Sequence, residues 1–290
     1  MAELISGHPH VDRVWPLRRE EGLAGLWRLA KTLRTLKLDR IYDAHNNLRS
    51  RILCLLLFPT PVLRRSLYRF RRFLLFRFGI NKFPMPFSGQ RDLLKPLQAW
   101  GIPTHLPDPP QIFPSPSHLE KARDLVGAGE FVCLAPSAAY PLKRWPVEYW
   151  KELVRRISDT RFVLLGGPND HFLTDICAAA PDRVINLSGK TGLMESAAVV
   201  SLSQVLISND TGVLHLGEQL GKPTIALMGP APFGFPSRAT TLILERDLPC
   251  RPCSKHGQGP CRNSQFQKCL VDIRPAEVIE NLRRLLGRPI

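Results

Sequence analysis

The sequence predicts an α/β protein of two domains, the second of which is a parallel sheet covered by helices on both faces. From residue 131 onward, short apolar and β-branched runs alternate with segments of helical periodicity, and polar turns follow most of these runs. Apolar residues make up 44% of the 290 residues, which is enough for a buried core. Prolines cluster between residues 101 and 116 and indicate a linker. We therefore expect domains at residues 1–110 and 111–290.

The first half has a less regular pattern. A turn is predicted at residues 8–10, a strand at 11–15, a helix at 22–36 with Leu23 and Leu26 on its inner face, a strand at 40–43, and a basic helical segment at 49–77 broken by Pro59 and Pro61. No buried apolar run precedes residue 10. An α/β domain normally starts with such a strand, so we expect the first strand to be missing.

The second half alternates regularly between the two kinds of element. A helix is predicted from residue 117. Strands are predicted at residues 131–135, 161–165, 184–187, 205–207 and 224–228, and further helices at 146–157, 170–180, 194–203 and 213–220. This alternation predicts a Rossmann-like domain, which binds ligands outside the carboxyl ends of its strands.

The positive charge of the chain is concentrated in one segment. The net charge is +15, and a chain this basic attracts phosphates, nucleic acid or an anionic membrane face. Between Arg49 and Arg77, arginines alternate with leucines and aromatic residues, which suits a membrane headgroup region or an amphiphilic anionic acceptor. Two alternatives stay open. One is nucleic-acid binding with Phe70 and Phe73 as stacking residues, and the other is a solvated helix face.

The expected compartment follows from patterns that the sequence lacks. It contains no apolar run of ~18 residues typical of a membrane span and does not open with a secretory signal. We therefore expect a cytoplasmic protein that is at most peripheral to the membrane. In that reducing compartment the seven cysteines are not expected to form a disulfide framework.

The turn at residues 208–212 is the strongest candidate binding element. It lies between a predicted strand and a predicted helix, where Asp210 or Thr211 can cap the helix and Gly212 lets a ligand approach the free N–H groups. This predicts a phosphate site. His215 lies one turn into the helix, and Asp210 can accept hydrogen bonds from sugar hydroxyls. The alternative is a capped turn with a core histidine.

Three further turns at the same edge carry candidate residues. Ser137 offers a hydroxyl and Lys143 a positive charge for a diphosphate, although Lys143 can equally be a solvated loop residue. Asp170 is predicted to cap the helix after the Gly166-Gly167 turn. Glu195 either complements a helix dipole or holds a ribose hydroxyl.

Four cysteines near the end of the chain, Cys250, Cys253, Cys261 and Cys269, have a spacing that suggests a metal site. A Cys-x-x-Cys turn supplies two zinc ligands from one loop, but the second pair is split, and His256 can replace one thiol. Structural zinc, reduced thiols and disulfides all stay open, and none of them implies catalysis.

Taken together, these turns resemble the ADP-heptose:lipopolysaccharide heptosyltransferase family, glycosyltransferase family 9. The resemblance rests on Lys143-Arg-Trp-Pro146, Leu164-Leu-Gly-Gly167, Ser188-Gly-Lys-Thr-Gly-Leu-Met-Glu195, Ser208-Asn-Asp-Thr-Gly-Val-Leu-His215, Ala226-Leu-Met-Gly-Pro230, Asp43-Ala-His-Asn-Asn-Leu-Arg-Ser50 and the cysteines. It implies the GT-B fold, with two Rossmann-like domains facing a cleft. It also implies inverting transfer of heptose from ADP-heptose, without a metal, to the lipopolysaccharide inner core at the inner face of the cytoplasmic membrane.

The resemblance also implies roles for individual residues. Lys143 would neutralise the diphosphate, Ser137 would bind phosphate, Thr211 and Gly212 would present N–H groups, Asp210 would contact the heptose, Glu195 would hold the adenosine ribose, and His215 would lie in the donor site without an assigned role. A separate set of residues would lie on the acceptor side of the cleft: Asp43, Asn46, Arg49, Arg64 and Arg65.

One departure from the family pattern concerns catalysis. The family opens with a strand and a Gly-Asp turn whose aspartate resembles a general base, and Met1 falls after that element. We therefore expect the base to lie upstream of Met1, which leaves the catalytic residue unknown. The chain as written is expected to bind ADP-sugar but to transfer heptose poorly. Two other functions stay open: a non-catalytic relative that binds nucleotide-sugar or glycolipid, and a transferase with another nucleotide-sugar donor.

Overall fold

A computed structural model describes residues 2–288 of the chain. The first half contains helix α1 (Glu3–Ser6), helix α2 (Gly22–Thr35), strand β1 (Ile41–Asp43), helix α3 (Leu48–Leu56), strand β2 (Val62–Arg64), helix α4 (Arg69–Phe78) and helix α5 (Gly89–Leu94), with 3-10 turns at Arg19–Glu21 and Lys95–Trp100. Strands β1 and β2 form a two-stranded parallel sheet in which Tyr42 pairs with Leu63.

The expected position of the general base is not covered by this description. Met1, upstream of which we expect that base, lies outside the described residues. The expectations for the first strand and for the general base are therefore untested by residues 2–288.

The second half contains all the other elements. They are α6 (Pro116–Val126), β3 (Val132–Ala135), α7 (Val147–Arg156), β4 (Phe162–Leu164), α8 (Leu173–Ala178), β5 (Val184–Asn186), α9 (Leu193–Leu202), β6 (Leu206–Asn209), α10 (Gly212–Leu220), β7 (Thr224–Leu227), β8 (Thr241–Leu244), α11 (Lys268–Val271) and α12 (Pro275–Leu285), with a 3-10 turn at Pro141–Lys143.

The main sheet is parallel throughout and has six strands in the order β5-β4-β3-β6-β7-β8. Chain order reverses between β3 and β6, where Cys133 lies opposite Leu206 and Ala135 opposite Ser208. A doubly wound sheet opens a crevice at this switch point, outside the carboxyl ends of its strands. The fold therefore places the loops after β3 and β6 side by side.

Both faces of this sheet are buried, and the alternation along β3 shows how. Val132 and Leu134 pack on one face with Trp150 and other apolar side chains, while Cys133 and Ala135 pack on the opposite face with Ala122 and others. Successive side chains of a strand point to opposite faces, so a strand covered on both sides is apolar throughout. The predicted α/β class and the parallel sheet are confirmed.

The first half differs from the prediction at several points. Residues 11–15 are not a strand, and the Val11 N–H donates to the His8 carbonyl, which closes the predicted turn at residues 8–10. The unpredicted strand β2 starts directly after Pro61, whose carbonyl accepts from Ile41 N. Leu23 is 71% exposed rather than inward, while Leu26 is buried as expected. Strand β8 was also missed in the second half.

The two halves meet at several places, and one loop of the second half makes two of these contacts. Phe233 inserts between aromatic rings of the first half, with ring centroids 5.1 Å from Phe83 and 5.3 Å from Phe87. The Ser88 and Ser237 hydroxyls lie 2.6 Å apart. Helix α1 packs against α9 of the second half, with Leu4 beside Met194. The division at residue 110 stays a prediction.

Among residues 2–288, none of the helices combines the length and the apolar character that crossing a bilayer requires.

Candidate functional site

A cavity of about 300 Å³ opens at the carboxyl ends of β3, β4 and β6. It is lined by Ala135, Ser137, Ala138, Ala139, Arg144, Leu165, Gly166, Gly167, Asp170, Ser196, Thr211 and Val213. This volume is at the lower end of the range of ligand pockets, and small apolar side chains with a few polar groups are typical of their walls. The predicted binding edge therefore holds an actual cavity.

The Ser137 hydroxyl is the clearest sign that this cavity is built for a ligand. Its oxygen is buried and has no hydrogen-bond partner among residues 2–288. A Cβ at Gly166 would lie 2.7 Å from it, so glycine is required there to make room. Leaving a buried hydroxyl unsatisfied costs ~1–3 kcal/mol. A ligand that supplied a hydrogen bond to this oxygen would recover that free energy.

Thr211 and Gly212 form the start of helix α10, as predicted. The Thr211 hydroxyl accepts a hydrogen bond from Val213 N at 3.2 Å, so Thr211 rather than Asp210 caps the helix. A Cβ at Gly212 would meet nothing within 4 Å, so the space beside this residue is open. The first N–H groups of a helix have no partner inside it and attract anions.

Lys143 and Asp210 are brought together by the fold. Lys143 Nζ lies 2.6 Å from Asp210 Oδ2, and their side chains are 15% and 6% exposed. The pair lies beside the cavity, because Arg144 and Thr211 are their chain neighbours and line it. Gly234 packs so closely on the Asp210 carboxylate that any Cβ there would collide with it. The lysine is thus a mostly buried ion-pair partner and not a solvated loop residue.

Asn209 is a site residue that sequence reasoning missed. It is fully buried, its amide donates to the Pro136 carbonyl at 2.6 Å, and its oxygen accepts from Trp145 N at 3.1 Å. These bonds tie the loop after β3, which carries Ser137 and Lys143, to the end of β6. The sequence did contain a signal for this role: a polar residue at the end of a buried strand, where an amide without hydrogen-bond partners would cost free energy.

Glu195 lies in the first turn of α9, next to Ser196 of the cavity wall. Its carboxylate accepts from Lys121 Nζ at 2.5 Å and from Gly192 N at 2.6 Å. These two hydrogen bonds, first from Lys121 and then from Gly192, hold the pKa of Glu195 below its ordinary value. The side chain therefore caps the helix and pairs with a lysine. Its predicted contact with a ribose stays a prediction.

Asp170 was predicted to cap helix α8, but the structure shows that it does not. Helix α8 begins only at Leu173, and the Asp170 carboxylate instead accepts from Gly167 N at 2.8 Å. It also faces Arg144, whose guanidinium lies 3.6 Å away and donates to the Ala138 carbonyl. The Asp170 carboxylate thus holds the Gly166-Gly167 turn and the Arg144 side chain together beside the cavity. It is therefore not available to cap α8.

His215 projects from α10 one turn after Gly212. Its Nδ1 lies 2.8 Å from Glu218 Oε2, and the histidine side chain is 41% exposed whereas that of Glu218 is fully buried. The alternative of a core histidine is therefore wrong, because the ring reaches solvent.

The predicted acceptor-side residues are mostly engaged in holding the first half together. Asp43 is buried and accepts from Asn46 N at 2.7 Å and from the Ser50 hydroxyl at 3.0 Å, with Arg64 at 3.8 Å. The Asn46 amide donates to the Arg65 carbonyl at 2.8 Å.

Two of the predicted arginines behave differently from each other. Arg65 pairs with the buried Asp92 at 3.2 Å. Arg49 instead lines an open cavity of about 950 Å³ with Leu17, Arg19, Gly22, Leu23, Leu26, His45 and Asn47. Of the five predicted acceptor-side residues, only Arg49 lies on this cavity.

The four C-terminal cysteines meet at one place but do not form the predicted zinc site. All four are free and line the same small cavity beside Leu142 and Pro230. In the described part of the chain, no group of three or more potential ligands has a metal-holding arrangement. Burial raises the pKa of the Cys253 thiol and raises that of Cys269 to about 11. The structure thus corresponds to reduced thiols.

Comparison with known proteins identifies the family. The model of glycosyltransferase family 9 (heptosyltransferase) matches residues 26–259. Lipopolysaccharide heptosyltransferase 1 of Pseudomonas aeruginosa is 25% identical over 268 residues, covering 88% of this chain and 75% of the relative. Lipopolysaccharide heptosyltransferase 2 of Escherichia coli K12 is 27% identical over 58% of this chain, and the matched region spans about half (48%) of that relative.

The structure of E. coli ADP-heptose lipopolysaccharide heptosyltransferase II has the same fold. It superposes with a TM-score of 0.68 at 22% identity, covering 99% of this chain and 86% of that chain.

Proposed function

The chain belongs to glycosyltransferase family 9, the heptosyltransferases, and we propose that it transfers heptose from ADP-heptose to the inner core of lipopolysaccharide. The observation that carries this proposal is the convergence of three groups at one edge of the main sheet. They are the unpartnered Ser137 hydroxyl, the open start of α10 at Gly212, and the buried Lys143–Asp210 pair.

The same groups suit the charge that develops during transfer. When the bond between heptose and ADP breaks, negative charge accumulates on the leaving diphosphate. An ammonium group and a helix N-terminus that already contact the bound diphosphate stabilise such charge without further reorganisation during the reaction. Lys143 is held by Asp210 at 2.6 Å. We propose that the diphosphate takes over the lysine, which frees the Asp210 carboxylate to accept hydrogen bonds from the heptose.

The acceptor would approach from the first half of the chain. The cavity of about 950 Å³ beside Arg49 and His45 is large enough for a sugar headgroup, and its polar residues adjoin Leu23 and Leu26. Arginine is suited to planar, bidentate recognition of carboxylates and phosphates. Of the five residues predicted for the acceptor side, we therefore assign acceptor binding to Arg49 alone, together with the other residues that line this cavity.

The exposed part of the basic segment supports a membrane-bound acceptor. Leu55, Phe58, Phe70 and Phe73 are 74%, 76%, 71% and 55% exposed, and arginines lie between them in the chain. The exposed side chains include the aliphatic Leu55 as well as phenylalanines, and aliphatic groups among cations suit insertion into an anionic lipid surface, whereas nucleic-acid bases stack on aromatic rings. We propose peripheral association with the inner face of the cytoplasmic membrane through these residues.

Calorimetry combined with a transfer assay tests the proposed function. ADP-heptose is expected to bind more tightly than ADP-glucose and UDP-glucose, and heptose is expected to appear on a heptose-deficient lipopolysaccharide core. Preference for another nucleotide-sugar would indicate a different donor. Tight binding of ADP-heptose without turnover, in the presence of that acceptor, would indicate a non-catalytic relative.

The general base for the acceptor hydroxyl is not among the residues assigned above.

A further inference from the structure

Glu218 is a fully buried carboxylate that has hydrogen-bond donors on both of its oxygens. It lies on α10, one turn after His215. Oε1 accepts from Ser237 N at 2.5 Å and from Arg238 N at 3.3 Å. Oε2 accepts from the Gln90 amide at 3.0 Å and contacts His215 Nδ1 at 2.8 Å. Such complete pairing is what a buried charge requires.

The identity of these partners determines the tautomer of His215. Two partners are backbone N–H groups, which can only donate, and they fix Oε1 as an acceptor. An ionised carboxylate has no hydrogen to give, so the contact with His215 requires a hydrogen on Nδ1. In the neutral ring, Nε2 then carries the lone pair.

We infer that Glu218 is a positioning residue that holds His215 as the Nδ1–H tautomer, so that Nε2 can accept a hydrogen bond from a sugar hydroxyl of the donor. This rests on the proposed function, because it takes His215 as part of the donor site. The ring is 41% exposed and its Nδ1 is occupied, so Nε2 is the nitrogen left for a ligand. The orientation of α10 is fixed independently by Thr211 at its start.

The same carboxylate also connects the histidine to the first half of the chain. Gln90 donates to the oxygen that His215 contacts, and Gln219 donates to Gln90 at 2.9 Å. Gln90 therefore supports Glu218 without touching the ring. This difference provides a matched control, since a Gln90 variant perturbs the network but leaves the contact between His215 and Glu218 in place.

The decisive variant is Glu218→Gln, which keeps the shape of the side chain. Because Ser237 N and Arg238 N need an oxygen, the new amide must place its NH₂ group toward His215. That group donates to Nδ1, and the neutral ring must then carry its hydrogen on Nε2. The variant thus reverses the tautomer without removing the side chain. It also removes the oxygen to which the Gln90 amide donates, a loss that Gln90→Ala reproduces without changing the contact between His215 and Glu218.

Long-range ¹H–¹⁵N correlation spectra of the free protein report the tautomer directly. They would be recorded at about pH 8.5, well above the ordinary histidine pKa of ~6.5. The His215 signals would be assigned with a His215→Gln variant. We expect a protonated Nδ1 in the unmodified protein and in Gln90→Ala, and a protonated Nε2 in Glu218→Gln. A protonated Nε2 in the unmodified protein, or no change in Glu218→Gln, would overturn the inference.

Calorimetry then tests the link to the ligand. Glu218→Gln should weaken binding of ADP-heptose about fivefold, as expected for the loss of one hydrogen bond, and leave ADP binding unchanged. Unchanged ADP-heptose binding would overturn the role assigned to Nε2. If the unmodified protein did not bind ADP-heptose at all, the proposed function would fail, whereas the spectra would still decide whether Glu218 sets the tautomer.

Discussion

Replacing Lys143 by methionine should reduce both stability and nucleotide affinity, and the two losses have different causes. Lys143 is the only hydrogen-bond or ion-pair partner found for the Asp210 carboxylate in the described residues. Removing one partner of a buried pair typically costs ~3–5 kcal/mol. Lys143 keeps 15% of its side chain in solvent, so we expect about 3 kcal/mol, the lower end.

The loss of ADP affinity follows from a different balance. A hydrogen bond to a charged group contributes ~1.5–3 kcal/mol, which corresponds to roughly 10- to 150-fold in affinity. Lys143 already has a partner in Asp210, however, so the binding of a diphosphate would exchange one charged contact for another. We therefore expect a loss of about tenfold for Lys143→Met, the lower end of that range.

A double variant separates the two effects. Lys143→Met with Asp210→Asn removes both charges, and replacing a whole buried pair is often close to neutral. It should recover most of the stability lost in Lys143→Met, measured by urea unfolding, but not the ADP affinity, measured by calorimetry. Lys151→Met, which breaks a surface pair with Glu148, is the matched control and should change neither quantity appreciably. ADP affinity within about twofold of the unmodified protein in Lys143→Met would refute this reasoning.

Three further predictions concern other parts of the molecule. Ser137→Ala removes a buried hydroxyl that has no partner among the described residues, so thermal stability should not fall. ADP affinity, measured by calorimetry, should drop about fivefold because the hydroxyl no longer bonds the ligand. Lower stability with unchanged ADP affinity would contradict a ligand role for Ser137. Phe73→Ser should weaken binding to phosphatidylglycerol vesicles about tenfold in co-sedimentation, because burying a phenylalanine side chain contributes ~1.5–3 kcal/mol. The control is Phe266→Ser in the second half, where the phenylalanine is 64% exposed, and this variant should bind the vesicles as the unmodified protein does. Equal losses would exclude the basic segment as the membrane surface. Hydrogen bonds from Lys121 and Gly192 lower the pKa of Glu195 below 4.5, so its stabilising effect is present above that value and disappears as the pH falls through the lowered one. The difference in unfolding free energy between the unmodified protein and Glu195→Gln should therefore shrink below pH 4.5, and urea titrations showing a constant difference would disprove the assignment.

The main sheet could be predicted from the sequence because its strands are buried on both faces. That burial produces continuous apolar runs such as residues 131–135 and 162–165, and the predicted strands 131–135 and 161–165 differ by only a residue or so at each end from β3 and β4. The start of α10 was also predictable, since Thr211 and Gly212 act within their own turn. Signals of this kind depend on neighbours in the sequence.

The errors occurred where distant contacts decide the structure. Residues 11–15 have a strand-like composition but form no ladder, while β2 exists only because β1 lies beside it. Asp170 and Glu218 both lie at positions where helical context suggests capping or a solvated face. Their actual partners are a glycine turn for Asp170 and, for Glu218, two distant segments, around Gln90 and Ser237, that reach it only after folding.

The cysteine spacing shows a related limit. It correctly indicated that the four residues meet, since they line one cavity. Spacing does not determine how the thiols are oriented, however, and that orientation decides whether a metal ion can be held.

A crystal structure of the protein with ADP-heptose is the most direct test of the central claim that the edge of the main sheet holds the donor diphosphate. We predict diphosphate oxygens within hydrogen-bond distance of Lys143 Nζ and Gly212 N, with Asp210 released from the lysine. The claim would be contradicted by a ligand bound elsewhere, for example in the cavity beside Met85 and Arg251, with the Lys143–Asp210 pair intact.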